Sequence, residues 1–312
     1  MFCYLHWHSH FSLLRAIWSP KQLISQAQQY ELWTLALTDY DSVYGVIEFY
    51  QLCKKNNIKP IIGVQMMLVS DLSKATNKQA HSYITLLALN QDGYHQILKL
   101  VSDAHITGFD EYARIDFSMI ADRIHDCIIT LWGSRSYFSG NHNPHGIQVI
   151  SQTCKKLQNI VWISRFAIEY IVQDYAREPE LEHVNEFAMG IANQLQAPLV
   201  CNPDYHYIFQ QDREIYEIAL CIKDSQTLFD KYRKKIQGQY HLMPESEIIT
   251  ILQKHKLTQT EITTLIESNQ SFADQCNVTI EIWSLHFPQY KTSVEIEELY
   301  MLYQQKYTTH KL

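Results

Sequence analysis

His6-Trp7-His8, close to the start of the 312-residue chain, is the stretch best suited to chemistry. Within Phe2-Cys3-Tyr4-Leu5-His6-Trp7-His8 it reads as a short strand, rich in aromatic and apolar residues. Side chains two apart on a strand share a face, so His6 and His8 are expected to point one way and Leu5 and Trp7 the other. Two imidazoles converging from one strand end can hold a divalent metal. The alternative is a pair of unrelated histidines on a solvated edge, in a chain with 15 His. The choice depends on what the other elements bring to that strand end.

Seven short apolar runs stand out: 2–8, 33–38, 60–69, 83–89, 127–132, 160–166 and 198–202. Most are continuous rather than alternating, as in strands buried on both faces. Helical patterns lie between them at 20–30, 43–57, 92–106, 116–124, 145–158, 180–195 and 211–222; the first opens on Ser19-Pro20, a cap followed by proline. This alternation predicts an α/β protein with a parallel sheet. An open doubly wound sheet is one solution, and a closed or nearly closed barrel fits at least as well. In a barrel, functional side chains gather at the C-terminal strand ends. His6 and His8, Asp39 and Tyr40, Gln65, Ser134, and Asp204 and His206 all fall at or near such ends. Strand ends are also simply where chains turn polar, so position alone does not decide.

After residue 235 the strand pattern stops. Residues 245–255 and 259–276 read as helices, 276–280 as one more strand and 293–306 as a last amphipathic helix. The expected organisation is a barrel over 1–235, a helical completion over 236–275 and a further region from 276 to 312. Only 9 Gly and 8 Pro are present, so no flexible linker marks a boundary. No run is long and apolar enough to span a membrane and no signal peptide is visible, which predicts a cytoplasmic protein. The seven Cys are odd in number and scattered, which suits a reducing compartment better than a disulfide framework. Net charge is −7, and the one basic run, 231–235, reads as a solvated connector. Contact with DNA is therefore expected to be weak or indirect.

Several segments together resemble the N-terminal region of bacterial DNA polymerase III alpha subunits of the DnaE type. These are Tyr4-Leu-His-Trp-His-Ser-His-Phe-Ser-Leu-Leu14, Leu35-Ala-Leu-Thr-Asp-Tyr-Asp-Ser-Val-Tyr-Gly-Val-Ile-Glu-Phe-Tyr50, Asn57-Ile-Lys-Pro-Ile-Ile-Gly63, Thr85-Leu-Leu-Ala-Leu-Asn90, Asp92-Gly-Tyr94, Arg114-Ile-Asp116, Pro203-Asp-Tyr-His-Tyr207, Asn277-Val-Thr279 and Phe287-Pro-Gln289. The resemblance runs from residue 2 to about residue 290 in matching order. It implies a PHP domain, a distorted seven-stranded (β/α) barrel with a C-terminal helical extension. Residues 276–312 would then begin an incomplete palm-like region.

Intact members of that family hold up to three divalent metals and hydrolyse phosphoesters, in polymerases as a 3′–5′ exonuclease. The resemblance places metal ligands at His6, His8, Asp39, Asp204 and His206. It also marks substitutions: Tyr40 stands where the family has His, Gln65 where it has Glu, Tyr83 where it has His, and Ser134 where it has Cys. The ligand after the sixth strand has no clear counterpart, its place being taken by Phe166–Tyr170. His10, His81, His142 and His145 are weaker substitutes. Gln65 is neutral, and the phenols of Tyr40 and Tyr83, with pKa near ~10, are poor ligands at neutral pH. A three-metal site is therefore not expected. One divalent ion (Zn, Mn or Mg) or none are the two outcomes left open.

Two functions follow as expectations. The first is a degenerate PHP module with a structural or docking role in DNA replication, its partners the proofreading exonuclease subunit and the polymerase palm or other replisome components. The alternative is a metal-dependent phosphoesterase or 3′–5′ exonuclease, with Asp39 as ligand or base and His206 as ligand or acid. A further reading gives Tyr40, Tyr44, Tyr83, Tyr205 and Tyr207 to base stacking. No polymerase centre is expected within these residues, since Asp39-Tyr-Asp41 belongs to the barrel.

Overall fold

The apolar runs and the periodic segments fold largely as their patterns dictate, and the departures fall where the site is built. The computed structural model describes residues 2–75, 81–131, 144–231, 233, 235–282 and 300–304. In chain order the elements are α1 (Pro20–Gln29), β1 (Thr34–Leu37), α2 (Val46–Lys55), β2 (Lys59–Val69), β3 (His81–Ala88), α3 (Gln91–Thr107), β4 (Arg114–Ile115), α4 (Phe117–Arg123), β5 (Cys127–Leu131), α5 (Pro144–Val161), β6 (Phe166–Ile171), α6 (Glu180–Leu195), β7 (Leu199–Asn202), α7 (Arg213–Lys223), α8 (Glu245–Lys254) and α9 (Gln259–Gln275). Local chemistry sets many boundaries. Ser19 caps α1 in a reciprocal pair with Gln22, and Thr258 caps α9 in the same way with Glu261.

Residues Met1–Thr279 form one compact unit and Ile280–Leu312 another. In the second, residues 300–304 are helical; the rest of the helix expected over 293–306 lies outside the described residues.

The sheet has the order β1-β2-β3-β5-β6-β7, with β4 pairing beside β2. Its pairs are parallel except those of β3, which runs antiparallel to both β2 and β5. The fully parallel sheet expected from the alternation is corrected on this point. Among the described residues no helix separates β2 from β3, and a parallel return needs a crossover of a dozen or more residues. The segment 70–80 is too short and too polar for one.

Three further expectations are corrected. The apolar run 160–166 is split: its first two residues end α5, Trp162 turns the chain at φ 67, a 3-10 turn covers Ile163–Arg165, and the strand follows at Phe166–Ile171. A short continuous apolar run cannot be told from a helix end by periodicity alone. Residues 276–280 form no strand: the Asn277 N–H bonds the Leu89 carbonyl at 2.7 Å, and no ladder continues from it. The N-terminal run 2–8 is extended but is not a full strand, touching β1 through a single bridge between Tyr4 and Leu35.

The strands curl around one interior cluster. Ala36, Ile61, Leu87, Ile128, Ala167 and Val200, one residue from each strand of the path, pack there with Cys3, Leu5 and the α9-end residues Phe272, Ala273 and Cys276. Between the N-terminal segment and β7 a side chain from α9 does the work of a ladder. Asn269 accepts from the Cys201 N–H at 2.7 Å and donates to the carbonyls of Cys3 and Cys201 at 2.9 and 3.0 Å. One amide thereby satisfies backbone groups on both edges of the curl.

Candidate metal centre

The interior cluster fixes what lies above it. Side chains of one strand face alternate, so the residue two further along points the same way. Two residues on from Ala36, Ile128, Ala167 and Val200 come Thr38, Thr130, Glu169 and Asn202. On antiparallel β3 the order reverses, and Thr85 precedes Leu87. A polar layer thus sits on the apolar one.

The N-terminal segment enters this layer through a break in its alternation. The Ala36 N–H bonds the Tyr4 carbonyl at 2.9 Å and the Thr38 N–H bonds the Trp7 carbonyl at 2.8 Å. Two residues of advance on β1 thus face three on the N-terminal segment, the signature of a bulge. The Thr38 hydroxyl accepts from the Trp7 N–H at 3.0 Å and covers the irregularity. Leu5 therefore faces inward with the core, and so do His6 and His8 beyond it. The expectation that Leu5 and His6 face opposite sides is corrected by this extra residue, while the shared direction of His6 and His8 stands.

His6 Nε2 and His8 Nε2 lie 2.8 Å apart, both side chains buried. Two ring nitrogens that close share either a proton or a cation. Asp204 follows β7 in the left-handed region at φ 55, its N–H held at 2.8 Å by Asn202 Oδ1. Its carboxylate lies 4.0 Å from His8 Nε2 and 3.2 Å from His206 Nε2. Burial pushes the Asp204 pKa up, but the charges of His206, His6 and His8 and the His206 hydrogen bond hold it well below the usual carboxylate range. The other ring nitrogen of His206, Nδ1, bonds the Arg15 carbonyl at 2.8 Å, which directs Nε2 at Asp204.

One residue of this centre escaped the sequence reading. Glu169 is buried in the middle of β6, within the segment where no ligand counterpart was recognised. It accepts hydrogen bonds from Thr130 Oγ1 and, at 2.6 Å, from Asn202 Nδ2, and its Oε1 lies 3.7 Å from His6 Nδ1. Thr85 Oγ1 stands 3.2 Å from the same nitrogen. Burial lowers the His6 pKa, yet the hydrogen bond and charge of Glu169, with Asp204 behind, outweigh it and leave His6 raised. The signal in the sequence is a lone carboxylate inside Phe-Ala-Ile-Glu-Tyr-Ile, masked by the more apolar run 160–166 just before it.

The remaining sequence candidates stand elsewhere. Asp39 is buried, and both its oxygens are taken: Oδ1 by the Ser9 N–H and Ser12 Oγ at 2.6 Å each, Oδ2 by Ser9 Oγ at 2.7 Å. Burial raises its pKa against these bonds. The Tyr40 ring stacks on His8 at 4.2 Å and 13°, His8 on His206 at 5.0 Å and 20°, and His206 on Tyr216 at 5.1 Å and 17°. Tyr83 meets Tyr40 edge-on at 5.5 Å. Gln65, buried on β2, has a side-chain oxygen with no hydrogen-bond partner among the described residues. Ser134 and His142 lie outside the described residues, as does the side chain of His145. Of the five tyrosines considered for base stacking, Tyr40, Tyr83, Tyr205 and Tyr207 are buried and only Tyr44 is exposed, which overturns that reading.

Among the described residues, His6, His8 and Asp204 form the one group of three whose ligand atoms lie within 4.8 Å of one another. Two imidazoles and a carboxylate are a donor set suited to one divalent ion. Asp39 is not in the group, and one carboxylate offsets little of the charge of several dications.

Residues 4–171, more than half the chain, match the PHP domain family. The DNA polymerase III subunit alpha of Buchnera aphidicola subsp. Acyrthosiphon pisum is 25% identical over 303 residues, covering 96% of this chain and 25% of that protein. The Pasteurella multocida subunit is 26% identical over 296 residues, covering 93% and 24%. The Treponema pallidum subunit is 28% identical over 261 residues, covering 81% and 22%. The chain thus spans about a quarter of the length of the first two relatives. Among solved structures, an amidohydrolase from Chromobacterium violaceum superposes with a TM-score of 0.48 at 14% identity, over 66% of this chain and 88% of that one, a partial likeness of outline only. Family match and polymerase relatives coincide with the segments that carry the buried histidine pair and the polar layer, and the chain belongs to the PHP domain family.

Proposed function

We propose that this chain is a PHP module of the bacterial replicative polymerase apparatus, retained for its place in that assembly, with a one-metal remnant of a hydrolytic site. The ring stack carries the reading: Tyr40 lies flat on His8, where a further histidine ligand would be expected. Two-metal phosphoester hydrolysis uses one ion to generate the nucleophile and another to steady the leaving group. With Tyr40 and Tyr83 as aromatic packing and Gln65 neutral, these positions supply no donors for a second ion among the described residues. A single ion would be held by His6, His8 and Asp204, with His206 behind Asp204 and Glu169 orienting His6. Such an ion would supply Lewis acidity to a bound water or phosphate. Residues 1–235 serve as the barrel, 236–275 as its helical completion and 276–312 as the start of a palm-like region.

The docking role draws support from α7. Ile215, Ile218 and Ile222 fall on one face and are 56%, 42% and 60% exposed, and Phe229 beyond the helix is 97% exposed. An apolar stripe of this kind suits a partner surface, here the proofreading subunit or the polymerase palm. Pull-down with those two proteins at micromolar concentration tests it. Capture of either is expected, weakened at least tenfold by Ile218→Asp; capture of neither defeats the docking reading.

The alternative, a metal-dependent phosphoesterase or 3′–5′ exonuclease, is favoured by the convergence of His6, His8 and Asp204. Elemental mass spectrometry after loading with zinc or manganese, with a nuclease assay alongside, separates the two. About one equivalent or less without turnover fits the remnant. Two or more equivalents, with hydrolysis abolished by His8→Ala, establishes the enzyme instead.

A further inference from the structure

The guanidinium of Arg15 is recessed beside this site, with no carboxylate at ion-pair distance among the described residues. The residue is 8% exposed. Its Cζ lies 4.7 Å from the ring centroid of Tyr40, 4.7 Å from that of Tyr112 and 5.9 Å from that of Tyr83. Of its five N–H donors, one bonds within the described residues, Nη1 to Tyr83 Oη at 3.3 Å. No carboxylate among the described residues comes within 4.0 Å of it. Burial pushes the Asp41 pKa up to about 6 against the opposing pull of the Arg15 charge, and the two groups do not form an ion pair.

Tyrosine faces attract a cation through their quadrupoles, but they bring no opposing charge. A buried charge left without a partner is costly, which is why such groups are normally paired. The backbone holds Arg15 firmly in this setting. Its N–H bonds the Ser12 carbonyl at 2.8 Å, and its carbonyl accepts from His206 Nδ1 at 2.8 Å. Tyr40 touches both partners: His8 of the ligand group stacks on it at 4.2 Å, and the guanidinium sits by the same ring. The cation is thus one ring away from the ligand group.

We propose that Arg15 is a built-in cation at this mouth and that it binds a phosphate group without any metal. The planar fork matches two oxygens of a phosphate. A terminal phosphate, compact and doubly charged, reaches a recessed guanidinium more readily than a peptide carboxylate that must bring its chain along. The inference is independent of the docking reading, since it concerns a ligand at the barrel mouth rather than a protein on α7.

Isothermal titration of the full chain, stripped with EDTA, with inorganic phosphate tests it, with acetate as the comparison ligand. Saturable binding of phosphate at one site, tighter than acetate and at least tenfold weaker in Arg15→Gln, is the expected result. Absence of saturable binding by the stripped wild type, equal affinity for acetate, or unchanged phosphate affinity in a folded Arg15→Gln overturns it. Arg15→Lys keeps the charge and loses the fork, and carries the comparison if the Gln variant does not fold. It should bind phosphate at least threefold more weakly, and unchanged affinity overturns the proposal. Partner capture by the same variants should be unaltered, which separates a failure here from a failure of docking.

Discussion

At the scale of single residues, two buried carboxylates have opposite duties that their chemistry alone does not reveal. Glu169 stands behind His6 on the side away from His8, an arrangement that fixes a ligand ring and its tautomer. Glu169→Gln should lower affinity for zinc by about 10–100-fold with the fold intact, read by competition with a chelating dye. Asp39 instead gathers the serines of the loop after His8. Asp39→Ala should cost about 2–3 kcal/mol in urea unfolding, because buried hydroxyls and an N–H lose their acceptor. Metal content should not change, and loss of the ion in a folded Asp39→Ala would return Asp39 to the ligand set.

At the scale of elements, closure of the curl depends on α9. Asn269 replaces the hydrogen bonds that a ladder between the N-terminal segment and β7 would make. Asn269→Ala should cost roughly 3 kcal/mol, since it strands three buried backbone groups. It should also weaken metal binding, because the segment carrying His6 and His8 loses an anchor at Cys3. A variant with wild-type unfolding free energy would show that the edges hold without it. The bulge between Tyr4 and Trp7 is the other element-level device. It lets a short segment supply apolar Leu5 to the core and two imidazoles to the layer above.

At the scale of the whole molecule, acid stability reports on the centre. The folded pKa of Asp204 is depressed, so its stabilisation is complete above the unfolded carboxylate value near ~4 and is lost as pH falls through the lower folded value. In chelator, the stability gap between wild type and Asp204→Asn should be widest at neutral pH and should narrow below about pH 4. A gap that is constant from pH 7 to pH 3 would show that the carboxylate is not held by charge. All seven cysteines are free and buried. Among the described residues no helix is long and apolar enough to cross a membrane.

The sequence by itself determined the α/β class, most element boundaries to within a few residues, the family, and the shared direction of His6 and His8. These rest on local periodicity, capping and motif order, which short windows of residues carry. Tertiary structure alone decided the antiparallel course of β3, the bulge that turns both His6 and Leu5 inward, the late start of β6 that brings Glu169 to His6, and the diversion of Asp39 to Ser9 and Ser12. Each depends on which backbone groups meet across the curl, and residues far apart in the chain settle that together.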